Sequence, residues 1–294
     1  MSIPADIQVL EYARRTTPLG LRFFDSISGT LIFEGLALSA YPVTNAANRR
    51  DGAVNRSGTF YFVDLPGLRD AEFGAGDDAY WAGVQRKSFI IEVLDRYNRF
   101  LPFSFGVSLP NRGILDFSCG GDVSPPGIHP PRPVPLYSAA PRPVPSGTQV
   151  IRADLWNPIA QAPAAWAVVE AQVAGEPVAR GIADAGGRLA LLLPTPKPIE
   201  FSPGDFGAGS PPDGPPLDKQ TWSVDLRAFF APSPSVPRFP DLCTTLAQPA
   251  AKLWADEARI TPLPAQVLRY GRECILRTAG ALGALPQLHI TPGP

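Results

Sequence analysis

Few residues in this chain are equipped for chemistry. There are two histidines, His129 and His289. Nucleophilic catalysis needs an imidazole held against a serine or cysteine. His129 lies in a proline-rich run and His289 close to the end of the chain, so neither is placed as a catalytic base. The three cysteines, Cys119, Cys243 and Cys274, lack metal-ligand spacing. With no export signal at the N-terminus, they read as reduced thiols that behave as small buried hydrophobes. Asp77 and Asp78 could hold Ca²⁺ with neighbouring carbonyls. A similar stretch further on carries Ser210 and Pro211 at those positions, so a solvated loop is expected. The sequence has no P-loop, G-x-S-x-G, H-E-x-x-H or C-x-x-C. Nothing favours a glycosidase carboxylate pair. The expectation is a protein without catalytic residues, cofactor or metal.

Aromatic and basic residues in connecting segments are the stronger signal, because such groups anchor interfaces. Phe73, Tyr80 and Trp81 fall in one Gly-rich stretch and Phe206 in another, while Trp254, Arg269, Tyr270 and Arg272 fall in the C-terminal segment. These eight are the candidate interface residues. For the loop aromatics, a plug closing the end of a β-sandwich is an equally physical role.

The elements that must position them come from an internal repeat. An acidic residue followed by Phe-Gly-Ala-Gly occurs at 72–76 and at 205–209, an offset of 133. The offset persists downstream, where Ser88, Phe89, Ile91, Glu92 and Val93 meet Thr221, Trp222, Val224, Asp225 and Leu226. Upstream, 58–67 faces 186–195 and 21–26 faces 151–156 in the same order. A duplicated domain is expected, each copy running opening strand, apolar strand, short strand, a second apolar strand ending in Leu-Pro, loop, and final strand or strand pair. In each copy the apolar strand runs too continuously for a sheet with one wet face. It suits a strand covered on both sides, or one buried against a partner.

Composition agrees with an all-β chain. Of 294 residues, 36 are proline, which excludes long helices and punctuates short strands. Charged residues are 18% and the formal net charge is −1. No basic stripe for nucleic acid is present, nor a polybasic cluster for anionic membrane. No apolar run reaches the roughly 18 residues of a membrane span. The expected organisation is an N-terminal arm (1–18), a first β-sandwich (19–115), a Pro-rich linker (116–147), a second β-sandwich (148–232) and a small mixed C-terminal extension (233–294). Arg-Pro-Val-Pro occurs twice in the linker, which favours a polyproline spacer lying across its own domains. In the extension, Asp241 is the expected N-cap of a short helix that Pro249 interrupts, and 288–294 reads as a last strand. We expect the extension to dock onto another subunit.

The stretch 166–194, with Gly175, Pro177, Val178, Asp184 and Gly187, resembles carboxypeptidase regulatory-like, or transthyretin-like, domains. The first copy shares only the wording of 55–67. The resemblance implies tandem immunoglobulin/transthyretin-like sandwiches and a structural or adhesive role. The overall texture also resembles accessory proteins encoded alongside phage-tail-like contractile injection particles. That resemblance implies a structural part of a large assembly (baseplate, cap or fibre joint) built in the cytoplasm, with other protein subunits as partners. The alternative is a carbohydrate- or cell-surface-binding module.

Overall fold

The computed structural model describes residues 15–73, 78–119, 130–195 and 220–293. The chain is almost all β, as its proline and glycine punctuation demands. In the first half the strands are β1 (Gly20–Leu21), β2 (Phe23–Asp25), β3 (Leu31–Ile32), β4 (Leu36–Pro42), β5 (Arg50–Asp51), β6 (Ala53–Val54) and β7 (Phe60–Tyr61). Two short helices follow, α1 (Arg69–Phe73) and α2 (Asp78–Gly83), then β8 (Lys87–Asp95), β9 (Phe103–Leu109) and β10 (Val134–Leu136). The second half holds β11 (Thr148–Asn157), β12 (Ala162–Pro163), β13 (Val168–Val173), β14 (Glu176–Ile182), β15 (Arg188–Pro194) and β16 (Thr221–Phe229). Helix α3 (Leu242–Leu246) leads to β17 (Ala250–Trp254), β18 (Gln266–Arg269), β19 (Cys274–Ile275), β20 (Ala279–Gly280), β21 (Gly283–Ala284) and β22 (Leu288–Pro292).

The first unit is a sandwich. One layer is the sheet β5-β4-β8-β9; the other is built on β1 and β2, flanked by β7, β6, β3 and β10. Phe23, Phe60, Phe62, Phe89, Ile91 and Phe105 fill the space between them, all essentially inaccessible to solvent. In the second unit β15, β11, β22, β17, β16, β13 and β14 form one curled sheet around a separate core of Leu155, Leu191, Val224, Leu253 and Ile290.

The repeat read from the sequence reappears as register. Leu38 pairs with Val93, and Ala171 with Leu226; Leu36 pairs with Asp95, and Val169 with Ala228. Both partners are displaced by the same 133 positions, as a copied strand pair requires. The turn glycines behave as expected: Gly175 and Gly187 sit at φ +85° and +78°. At Gly187 a Cβ would meet the Leu155 carbonyl oxygen. β15 is covered on both sides. Leu189, Leu191 and Leu193 face the second core, while Ala190 and Leu192 pack with Val150 against Ile27 of the first sandwich. The Phe-Gly-Ala-Gly glycines and Phe206 lie outside the described residues.

Three expectations need correction. The first concerns residues 130–147, which are more than a spacer. β10 adds in parallel to β2, Val134, Leu136 and Tyr137 enter the first core, and Arg142 is buried against Asp25. Proline stretches can bury their apolar rings when an edge strand accepts them. Secondly, the C-terminal segment is no separate appendage. β17 and β22 pair with each other, with β16 and with β11; β18 pairs with β16 and β19 with β11. Strands of two to five residues cannot bury a core alone, so they complete the second sheet. Asp241 does cap α3, accepting 2.7 Å from the Thr244 N–H, and Pro249 precedes a strand. Thirdly, Cys119 and Cys243 form a disulfide across 124 positions, with Cα atoms 5.0 Å apart. Linear spacing carries no information about such a contact. Cys274 remains a free, half-buried thiol packed on the second core, and burial raises its pKa.

The two units share apolar contacts. Trp166, Val168 and Ile182 of the second sandwich, with Leu242 of α3, join Leu101, Phe103 and Tyr137 in one cluster. All of these but Val168 line a cavity of about 10 Å³. The Ser104 N–H donates to the Pro240 carbonyl at 2.8 Å, so the chain before α3 runs along the edge of β9.

Candidate interaction surface

Residues 255–287, the excursion between β17 and β22, carry four large apolar side chains that stand in solvent. Short strands in this segment alternate. Leu268 of β18 and Leu276 after β19 point into the second core. Their neighbours point out: Val267 is 64% exposed and Ile275 58%. Ile260 is 79% exposed, and Leu282, between β20 and β21, is fully exposed. Exposed apolar side chains mark interaction sites where they form a contiguous patch.

The predicted interface residues divide between the two sandwiches. In the first, Phe73 ends α1, half exposed, with the Arg15 guanidinium 5.6 Å from its ring centroid. Arg15 also pairs with Glu72, which is buried. Tyr80 and Trp81 meet edge to face at 5.5 Å on α2 and are half buried. In the second, Arg269 ends β18, Tyr270 follows it, and the Arg272 N–H donates back to the Arg269 carbonyl at 3.1 Å. Arg269 and Arg272 are exposed and Tyr270 half buried, so these three extend the surface of the excursion.

Trp254 belongs to a different arrangement, which sequence reasoning missed. It pairs directly with His289 of β22, and His289 pairs with Trp156 of β11. Paired residues share a face, so Trp156, His289 and Trp254 form a row across three adjacent strands on the outside of the second sheet. Strands lie about 4.8 Å apart, so the two tryptophan Cα atoms span about 10 Å. The Trp254 indole N–H donates to Thr291 Oγ at 2.9 Å, and the Lys252 ammonium lies 5.9 Å from its ring centroid. Both indoles are half buried, whereas His289 between them is only 7% exposed and its Nδ1 has no protein partner. Alternation in 150–156 and 288–291 signalled which residues face out; only pairing shows that the two outer faces adjoin.

Burial lowers the pKa of His289 below its ordinary value of 6.5; Glu257 opposes the shift and Arg259 adds to it. A depressed folded pKa means the unfolded chain binds the proton more readily. The neutral imidazole's contribution is therefore complete above about pH 6.5 and declines as pH falls toward the lowered folded value. We expect His289→Gln to flatten the fall in Tm between about pH 7.5 and 5.5 relative to wild type, read by calorimetry at each pH.

Each sandwich also buries a carboxylate on its outer face under an arginine. Arg49 donates to Glu92 at 2.7 Å, and Arg180 to Glu170 at 2.7 Å. Tyr41 O–H donates to Glu92 at 3.0 Å, and burial followed by that bond raises its pKa. Burial alone would raise Glu170, but the hydrogen bonds from Arg180 and Gln172 hold it below the usual carboxylate range. These pairs satisfy their own charges and fasten neighbouring strands. Among the described residues no cluster of three His, Cys, Asp or Glu side chains could hold a metal ion, and no helix is long and apolar enough to cross a membrane.

No known protein family matches the sequence, and no curated protein does. Among solved structures, the Bacillus anthracis TIE protein aligns with 92% of this chain at 6% identity and a TM-score of 0.23. This chain spans 34% of that protein's length. The shaft pilin spaA from Lactobacillus rhamnosus GG aligns over 94% of this chain and 97% of its own, at 7% identity and a TM-score of 0.22. Overlap at this level carries no inference about function.

Proposed function

We propose that this chain is a non-enzymatic structural component of a large protein assembly, with the 255–287 excursion as its contact to neighbouring subunits. The observation behind the reading is the double use of that segment. Its alternate residues complete the second core, and those between them hold Ile260, Val267, Ile275 and Leu282 in solvent. The backbone under such a surface is fixed, which lowers the entropy lost on docking. The shared apolar cluster and the Cys119–Cys243 bond tie the two sandwiches together, which suits a joint or spacer. A contractile, phage-tail-like particle is the assembly the sequence texture suggests. The same proposal places assembly in the cytoplasm. Cytosolic thiol buffers keep cysteine pairs reduced, so the disulfide would then close once the particle meets an oxidising environment.

The test is sedimentation of the native protein from its source cells, with mass spectrometry of the co-sedimenting chains. Wild type is expected in a fast-sedimenting fraction with tube, sheath or baseplate-like proteins. A Val267→Asp/Ile275→Asp variant with unchanged Tm is expected to move to the slow fraction. Wild type sedimenting slowly and alone would overturn the assembly reading. Retained incorporation of the double variant would remove the excursion as the contact. Deleting 237–294 is not a usable test, because the deletion removes strands of the second sheet.

A further inference from the structure

We propose that the row Trp156–His289–Trp254 is a saccharide-binding platform, with two sugar rings of one glycan chain stacked on the two indoles. The site goes beyond the assembly role and rests on separate residues.

The arrangement is that of a platform for rings. Trp156 and Trp254 stand two strands apart on one face, with His289 between them at the same level. The Trp254 ring is fixed by its hydrogen bond to Thr291. Its N–H is thereby already used, and the Lys252 ammonium stands over the ring, 5.9 Å from its centroid, so a sugar would stack beside that ammonium or in its place. An indole face takes the C–H face of a pyranose, and the same ring tolerates water at its edge. Hydrogen-bonding groups for sugar hydroxyls lie alongside: the Lys252 ammonium near the Trp254 ring, and Glu257 and Arg259, whose charges act on His289.

The size of the patch selects this occupant over a protein. Two half-buried indoles, each a side chain of about 150–250 Å², offer far less than the ~800 Å² per partner of a stable protein interface. They suffice for two sugar rings. Two indoles with a few orienting polar groups beside them match the usual mix of small-molecule sites, mainly apolar with a few such groups. His289 is paired in register between the two tryptophans and is buried.

The test uses the full chain, with its disulfide, against a glycan array and then against soluble gluco-, chito-, xylo- and manno-oligosaccharides of about four to six sugars. The readout is tryptophan fluorescence and calorimetric titration. The expected result is retention on at least one β-linked class, with Trp156→Ala and Trp254→Ala each weakening binding by tenfold or more at unchanged Tm. Trp254→Phe should recover most of the loss, since the ring stays. Failure to retain any glycan overturns the proposal. So does full affinity in the folded Trp156→Ala/Trp254→Ala double variant. A dimer that the Trp254→Ala change dissociates would assign the face to a second copy and also overturn it. Loss of glycan binding with intact co-sedimentation separates this site from the assembly surface.

Discussion

Replacing Asp25 with alanine is expected to destabilise the protein by about 3–5 kcal/mol, the usual consequence of stranding one partner of a buried ion pair. Asp25 and Arg142 are 2% and 9% exposed. They form a two-pronged contact, 2.6 Å from Nη2 to Oδ2 and 3.0 Å from Nη1 to Oδ1. Arg142 also donates to Ser138 Oγ and lies 4.8 Å from the Phe100 ring centroid. Burial alone would raise the Asp25 pKa; Arg142, the Ile27 N–H and Ser28 more than reverse this and hold it below the ordinary value. For a carboxylate with a depressed folded pKa, the contribution is complete above the unfolded value of about 3.9 and is lost as pH falls through the folded one. The gap between wild type and Asp25→Ala in urea unfolding should therefore be constant from about pH 5 to 8 and close in strong acid. The double variant Asp25→Ala/Arg142→Met is expected to cost less than the sum of the two single changes, because it removes both charges together. If Asp25→Ala unfolds within 1 kcal/mol of wild type, the pair does not hold the 130–147 segment to the first sandwich.

Loss of the Cys119–Cys243 bond is expected to have a comparable effect. The bond closes a 124-residue separation, and the chain-entropy estimate for a loop of that length is about 5 kcal/mol, with 2–4 kcal/mol typical of measured disulfides. Cys243→Ser should lower the urea midpoint accordingly, and a reducing agent should bring wild type to the same midpoint while leaving Cys243→Ser unchanged. Cys243 sits in α3, beside the cluster shared by the two sandwiches, so limited proteolysis should detect the loss first at their junction. Alkylation before cell lysis reads the redox state directly. Free thiols in the cytosol and a bridge in released particles fit the proposed route of assembly. A bridge already present in the cytosol would contradict it.

Much of the fold was legible because its signals are local. Proline density excluded long helices. Gly175, Gly187 and Asp241 each act within a few residues, through a positive φ or a capping bond. The apolar run Leu189–Leu193 announced a strand covered on both faces, since no solvated strand could carry it. The 133-residue offset survived as strand register because a copied pair of strands must keep its pairing. Other features belong to the tertiary structure alone. Short strands at 250–254 and 288–292 hold too little apolar area to declare a partner, and only closure of the second sheet decides that they pair with β16 and β11. Cys119 and Cys243 gave no sign of meeting, and Asp25 none of facing Arg142. Trp156, His289 and Trp254 come from three strands whose adjacency is set by core packing on the opposite face, by Leu155, Ile290 and Leu253. Alternation tells which side chains share a face along one strand. The order in which strands lie side by side is fixed by burial summed over the whole domain, and that sum is not readable from any single segment.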